Sequence, residues 1–149
     1  MANGATRKVI RGSQAMAAEQ TRDMRVQTEV MVPSKLEEAT SIADLKQAVH
    51  RFVAARDWYQ YHTPKNLAMC IAIEAAEIME HFQWQSLDES AALMMDAERH
   101  AEVADELADV LIYCLSFANS SGIDVAAAVQ KKLARNEVRF PAEQVKGRR

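Results

Sequence analysis

The sequence has 149 residues, enough for one domain with an apolar core and too few for two domains of ordinary size. Its net charge of −3, its 26% of charged residues and the lack of any apolar run near about 18 residues predict a soluble, cytoplasmic protein that does not bind membranes. All four glycines lie at or before Gly12 or at or after Gly122, which excludes a glycine-rich phosphate loop from the body of the chain.

The first 39 residues show no sustained hydrophobic period and carry scattered polar side chains. We therefore expect residues 1–39 to form a poorly ordered extension. The organised domain is predicted over residues 40–141, and residues 142–149 form a basic tail.

Capping signals mark where the first two predicted helices begin. Ser41, with Asp44 three positions later, resembles a capping box, and the helix after it keeps apolar spacing towards Trp58. Thr63 precedes a proline, the usual arrangement at a helix start, and predicts a second helix that runs to about Trp84.

The remaining helices follow in quick succession. Ser86 and Glu89 form a second possible capping box, which opens a short helix. Residues 103–118 form the most strongly amphipathic stretch of the chain, ended by Gly122. Asp124 then caps a last helix that stops before Pro141. Four main helices joined by short turns predict an all-α fold that resembles a four-helix bundle.

Charge is distributed very unevenly along the chain. From Glu74 to Asp109 there are 11 carboxylates and a single Lys or Arg, which is Arg99, whereas residues 131–149 carry seven bases and two acids. A nucleic-acid surface would need a broad basic face, so we expect no nucleic-acid partner. The pattern favours carboxylates that hold cations beside basic groups that hold an anionic substrate.

Two carboxylate pairs are the main candidates for a functional site. Glu74 and Glu77 lie three residues apart on one predicted helix, and Glu106 and Asp109 repeat that spacing on another. Residues at i and i+3 share a helix face, and like charges that close repel unless a cation lies between them. Because Mg²⁺ prefers oxygen ligands, the pairs predict a magnesium site, with Glu102 a turn away as a further acid.

A solvated acidic helix face and two different metal sites are the alternatives to magnesium binding. A solvated acidic face would show the same pattern of acids, so the spacing alone does not exclude this alternative. A di-iron bundle requires Glu-x-x-His on two helices, and no histidine of this chain has an acid three residues before it. Zinc is disfavoured because His and Cys do not cluster at ligand spacing.

A string of motifs between about Phe52 and Pro141 resembles the MazG-like all-α nucleoside triphosphate pyrophosphatases, and most closely their dCTP pyrophosphatase branch. The motifs occur in the family's order: Arg56-Asp57-Trp58, His62 with Pro64-Lys65-Asn66-Leu67, Glu74-Ala75-Ala76-Glu77, Phe82-Gln83-Trp84, Glu106-Leu107-Ala108-Asp109 with Val110-Leu111-Ile112-Tyr113, Lys132 with Asn136, and Arg139-Phe140-Pro141. Phe140 stands where relatives often have tyrosine.

This resemblance implies a MazG-type fold, a homodimer or homotetramer, and roles for individual residues. The Mg²⁺ ligands would be Glu74, Glu77, Glu106 and Asp109. The implied substrate-binding residues fall into two groups: those that contact the base and sugar, His62, Trp84 and Tyr113, and those that reach the phosphates, Lys132, Asn136 and Arg139.

The expected reaction is Mg²⁺-dependent hydrolysis of a (d)NTP to the monophosphate and pyrophosphate, with a preference for dCTP or related pyrimidine or modified deoxynucleotides. Glu77 is the first candidate for the acid that orients or deprotonates the attacking water, and Glu74 the second. The alternatives are a related enzyme that acts on dUTP or phosphoribosyl-ATP and a non-catalytic helical nucleotide-binding or assembly module.

Overall fold

A computed structural model describes residues 34–147 of the chain, and every regular element in that range is helical. Within it, seven α-helices and one 3-10 turn follow in this order: α1 Lys35–Ala39, α2 Ile42–Ala54, the 3-10 turn Trp58–Gln60, α3 Pro64–Phe82, α4 Leu87–Leu93, α5 Ala97–Ser121, α6 Val125–Arg139 and α7 Ala142–Val145. The prediction of an all-α fold is confirmed.

The chain divides into two units between Ala39 and Thr40. The described part of the first unit is α1, a single short helix with Glu37 and Glu38 in its first turn. Most of the predicted extension, residues 1–33, lies outside the described residues. The last two positions of the predicted basic tail also lie outside them. All helices from α2 onward belong to the second unit.

Reciprocal capping boxes begin two of the helices. At α2, the Ser41 hydroxyl accepts a hydrogen bond from the Asp44 amide, and the Asp44 carboxylate accepts one from the Ser41 amide at 2.9 Å. Ser86 and Glu89 make the same pair of contacts at α4. The serine side chain lowers the pKa of Asp44, and the serine backbone lowers that of Glu89, because both contacts favour the carboxylate.

The first long helix is shorter than its apolar pattern predicts. It ends at Ala54 and does not continue towards Trp58, because Asp57 adopts a left-handed conformation with φ 52° that no α-helix accommodates. The 3-10 turn that follows begins at Trp58. The Arg56 guanidinium lies 3.6 Å from the centroid of the Phe52 ring, which holds this turn against the end of α2.

Helices α3 and α5 form the central pair of the fold, and α2 packs on α5. The interacting residues show that α3 and α5 are antiparallel: His81 lies near Glu102, Glu74 near Asp109, and Cys70 near Tyr113. The buried apolar side chains of this part of the chain are few, and they come from α2, α3 and α5: Val49, Val53, Leu67, Val103 and Ala118.

Helix α6 leaves the packed part of the chain at Gly122, which ends α5 in the left-handed conformation with φ 63°. The axes of α5 and α6 differ by 104°, and α6 has no buried residue. The apolar side chains of Val129 and Leu133 are 49% and 55% exposed. Within residues 34–147, the main helix contacts join three of the four long helices, α2, α3 and α5, and α6 makes no comparable contact with them.

Of the described helices, none taken singly has the length and apolarity to cross a bilayer. The bent pair of α5 and α6 meets that test by length and composition when the two are taken together.

Candidate metal centre

Three carboxylates from two helices meet on one side of the α3–α5 pair. Glu74 and Glu77 of α3 and Glu106 of α5 each offer an oxygen, and these oxygens lie within 4.8 Å of one another. Glu74 and Glu106 are partly buried, whereas Glu77 is exposed. The fourth predicted ligand, Asp109, lies close enough for its charge to act on both Glu74 and Glu106. We call these four residues the acid cluster.

The sequence builds this cluster in two steps. The i, i+3 spacing brings two acids to one face of each helix, and the antiparallel register places Glu74 beside Asp109 and Glu77 beside Glu106. Alanines occupy both positions between the acids in α3, and Ala108 directly precedes Asp109 in α5. Leu107, the other residue between the acids of α5, is 50% exposed.

The acid cluster opposes its own ionisation. Desolvation raises the pKa of Glu74, and the charges of Glu77, Asp109 and Glu106 raise it further. The pKa of Glu106 is raised by desolvation and then by Glu77 and Asp109, while His81 acts in the opposite direction. Groups arranged in this way gain from a divalent cation, because it replaces mutual repulsion by attraction. Four oxygen-only ligands suit a hard cation and do not suit zinc.

Tyr113 lies one turn beyond Asp109 on the same face of α5. Burial raises the pKa of its phenol, and the neighbouring Cys70 and Glu74 raise it further. The hydroxyl group therefore stays protonated and lies beside the acid cluster, where it can donate a hydrogen bond to a bound molecule. This is the position that the resemblance assigns to a residue contacting base or sugar.

His62 contacts α5 one turn beyond Tyr113, and we call Asp109, Tyr113 and His62 the stripe. Its Nδ1 shares a hydrogen bond of 2.7 Å with the Oγ of Ser116, which is only 1% exposed. Ser116 comes one turn after Tyr113 on α5, and it was not among the predicted site residues. The only sequence signal was a serine three positions beyond Tyr113, on a helix whose acidic face had already been identified.

A second group of polar side chains adjoins the other end of the cluster. The Arg99 Nη1 donates a hydrogen bond of 2.8 Å to Glu102, and the Nδ1 of His81 lies 4.0 Å from the same carboxylate oxygen. Glu102 was predicted as a further acid, but neither partner was predicted. The signal for Arg99 was its position three residues before Glu102 on the same helix, whereas His81 comes from α3 and had no local signal. Glu102 is thus paired with Arg99, and it is not one of the three carboxylates whose oxygens meet.

The other predicted substrate-binding residues lie outside this stripe. Trp84 follows the end of α3 and is 86% exposed. Lys132, Asn136 and Arg139 lie on α6, and in residues 34–147 no ion pair joins Lys132 or Arg139 to the acids. Among the described residues, every charge that acts on Glu74 or Glu106 comes from α3 or α5.

Comparison with known proteins gives a family match over the part of the chain that contains the acid cluster. The profile of the MazG-like family matches residues 69–148, which include both carboxylate pairs. Mouse dCTP pyrophosphatase 1 is 32% identical over 115 residues, which cover 77% of this chain and 68% of that protein. Human dCTP pyrophosphatase 1 is 34% identical over 102 residues, covering 68% of this chain and 60% of the human protein.

A solved structure shares the fold. The crystal structure of a pyrophosphatase from Archaeoglobus fulgidus superposes with a TM-score of 0.62 at 38% sequence identity. The match covers 76% of this chain and 99% of the archaeal chain.

Proposed function

Because this chain belongs to the MazG-like family, we propose that it is a Mg²⁺-dependent nucleoside triphosphate pyrophosphohydrolase that converts a (d)NTP and water to the (d)NMP and pyrophosphate. The observation that carries the proposal is the meeting of Glu74, Glu77 and Glu106 from two helices within 4.8 Å. The names of the relatives, dCTP pyrophosphatase and pyrophosphatase, support the reaction class.

The acid cluster supplies the ligands for the cation. Glu74, Glu77, Glu106 and Asp109 would hold Mg²⁺, which neutralises phosphate charge and lowers the pKa of a bound water. The four carboxylates provide up to eight oxygens and a formal charge of −4, enough for more than one dication. The raised pKa values of Glu74 and Glu106 mean that protons compete with a cation for these two groups, so we expect cation binding to release protons.

Glu77 is our candidate for the acid that orients or deprotonates the attacking water. It is the exposed member of the three carboxylates that meet, so water reaches it more readily than the partly buried Glu74. Glu74 is the second candidate, since its pKa is raised and a base in a neutral solution works best near the ambient pH.

The nucleoside would lie along the stripe that leads from Asp109 to Tyr113 and His62. Tyr113 presents a protonated hydroxyl, and the contact with Ser116 fixes the His62 ring in one orientation. Trp84, 86% exposed beyond the opposite end of α3, would stack on the base from a second copy of the chain. The resemblance favours dCTP or a related pyrimidine or modified deoxynucleotide, with dUTP and phosphoribosyl-ATP as the alternative substrates.

A second copy of the chain would complete both the core and the substrate site. A groove of about 460 Å³ between α2 and α5 is lined entirely by apolar side chains: Leu45, Ala48, Val49, Phe52, Ala108, Leu111, Ile112 and Leu115. Exposed apolar surface of this kind marks an interface. We propose a homodimer, or two such dimers in a tetramer, in which Lys132, Asn136 and Arg139 of α6 contact the phosphates of the substrate.

Product analysis with a panel of nucleotides tests the proposal. Canonical and common modified (d)NTPs are incubated with Mg²⁺ or with EDTA, and the products are separated by chromatography. We expect monophosphate and pyrophosphate with Mg²⁺ alone, and the fastest turnover for a pyrimidine deoxynucleotide. Diphosphate and phosphate would point to a different bond, and binding without turnover would favour the non-catalytic alternative.

A further inference from the structure

A cleft of about 500 Å³ extends from the acid cluster towards the beginning of α5. Two of its lining residues, Glu77 and Glu106, belong to the cluster, so a cation held there lies at one end of the cleft. The remaining lining side chains are Glu80, His81, Gln85, Leu93 and Arg99. Any part of a substrate that extends from the cation in this direction meets these residues next.

Among the described residues, Arg99 is the one Lys or Arg that lines this cleft. Its side chain is 59% exposed, and one of its guanidinium nitrogens donates to Glu102. A guanidinium group has five N–H donors in a planar fork, so most of the donors of Arg99 stay available. The geometry of that fork matches two oxygens of a phosphate group.

Glu102 fixes the direction in which Arg99 points. The hydrogen bond of 2.8 Å joins residues three positions apart on α5, so both side chains follow the same face of the helix. His81 of α3 lies 4.0 Å from the same carboxylate oxygen, which limits the freedom of Glu102 from the other side. A guanidinium held in this way loses less entropy when it binds an anion.

We propose that Arg99 binds the outer phosphates of the triphosphate substrate and that Glu102 is the residue that positions it. The assignment rests on the proposed function and deepens it, since it adds a phosphate-binding residue to the site. The cleft also contains Glu77, Glu80 and Glu106, which repel phosphate until cations neutralise the cluster. Arg99 therefore contributes to binding in the presence of Mg²⁺ and takes no part in bond cleavage.

The assignment of Arg99 is tested by isothermal titration calorimetry with the two reaction products, each titrated separately. Inorganic pyrophosphate represents the outer phosphates, and deoxycytidine monophosphate represents the nucleoside with its inner phosphate. With Mg²⁺ present, we expect Arg99→Ala to weaken pyrophosphate binding about tenfold, the effect of one lost charge-assisted contact at an exposed site, and to change monophosphate binding less than twofold. Arg99→Lys should restore only part of the loss because it lacks the planar fork.

The positioning role of Glu102 needs its own variant. Glu102→Gln keeps the size of the side chain and should weaken pyrophosphate binding about threefold, while the binding of deoxycytidine monophosphate changes less than twofold. Arg51→Ala, an exposed arginine of α2 remote in sequence from the cleft, is the control and should behave as the wild type. The melting temperature of each variant confirms that the chain is folded.

Two results would overturn the assignment. Unchanged pyrophosphate binding in folded Arg99→Ala would show that Arg99 does not contact the outer phosphates, and an equal loss for pyrophosphate and monophosphate would show a general charge effect. Failure of the proposed function looks different: the wild-type chain would release no pyrophosphate from any nucleotide. Because calorimetry does not depend on turnover, the two failures can be told apart.

Discussion

The Nδ1 of His62 and the Oγ of Ser116 share a hydrogen bond of 2.7 Å although the two residues are 54 positions apart in the chain. The contact ties the segment before α3 to α5 near its carboxyl end, one turn beyond Tyr113. Ser116 is fully buried, so this side chain has no access to water that could replace the imidazole as a partner. The orientation of His62 is thus determined by the central helix pair.

Replacing Ser116 by alanine should release His62 without disturbing the acid cluster. We expect the free energy of unfolding to fall by about 1 kcal/mol, the usual net worth of one hydrogen bond. The kcat/KM for the preferred nucleotide should fall about three- to tenfold, with unchanged Mg²⁺ affinity. Ser120→Ala, an exposed serine on the same helix, is the control. A variant with wild-type kcat/KM would remove His62 from the substrate site.

The role assigned to Glu77 predicts a separation of binding from turnover. Glu77→Gln keeps the shape of the side chain but cannot accept a proton from water, so turnover should fall at least about hundredfold. Nucleotide binding in the presence of Mg²⁺ should stay within a few fold of the wild type. Asp105→Asn, an exposed acid beside the cluster, should keep its activity. Lost binding would instead assign Glu77 to cation binding alone.

The raised pKa values of Glu74 and Glu106 predict how Mg²⁺ stabilises the chain at different pH. In the folded chain, these two carboxyl groups hold their protons to a higher pH than in the unfolded chain. Their protonation therefore stabilises the fold at low pH, and this stabilisation is lost as the pH rises through the raised pKa. At the proposed site, Mg²⁺ would replace these protons. The increase in Tm with Mg²⁺ should therefore be larger at pH 7.5 than at pH 5.

Thermal unfolding with Mg²⁺ or EDTA at the two pH values measures this difference. In Glu74→Gln, the increase in Tm at pH 7.5 should be much smaller, since one ligand and one titrating group are gone. An equal effect of Mg²⁺ at both pH values in the wild type would mean that the cation binds elsewhere.

The apolar groove between α2 and α5 predicts that the chain self-associates. Leu111 lines the groove and is 53% exposed within one chain. Leu111→Glu would place a charge in the interface and should shift the chain from dimer or tetramer to monomer in sedimentation velocity. Gln47→Glu adds the same charge on α2 outside the lining of the groove and should leave the assembly intact. An assembly unchanged by Leu111→Glu would locate the interface elsewhere.

Local signals in the sequence were sufficient to predict much of the fold. The capping boxes at Ser41 and Ser86 were both identified, because each depends on two residues three positions apart. The left-handed turn at Asp57 could not be predicted in the same way, since a position of this kind is usually occupied by glycine. The helix before it was accordingly predicted too long.

The candidate site also has one part that local sequence patterns predicted and another that depends on how the helices pack. The spacing within each acid pair suggested a shared face, and the structure brings Glu74, Glu77 and Glu106 together as expected. The partner of His62 depends on how α3 and α5 pack, a relationship that no local pattern contains. The last helix was predicted as part of a four-helix bundle, but α6 has no buried residue among the described residues.

A crystal structure with Mg²⁺ and a dCTP analogue whose α–β bridging oxygen is replaced by NH tests the central claim most directly. We predict Mg²⁺ bound by carboxylates from both α3 and α5, at about 2.1 Å, and bridging to phosphate oxygens of the analogue. A nucleotide bound away from these residues, with Glu74, Glu77, Glu106 and Asp109 bound to neither metal nor phosphate, would contradict the account.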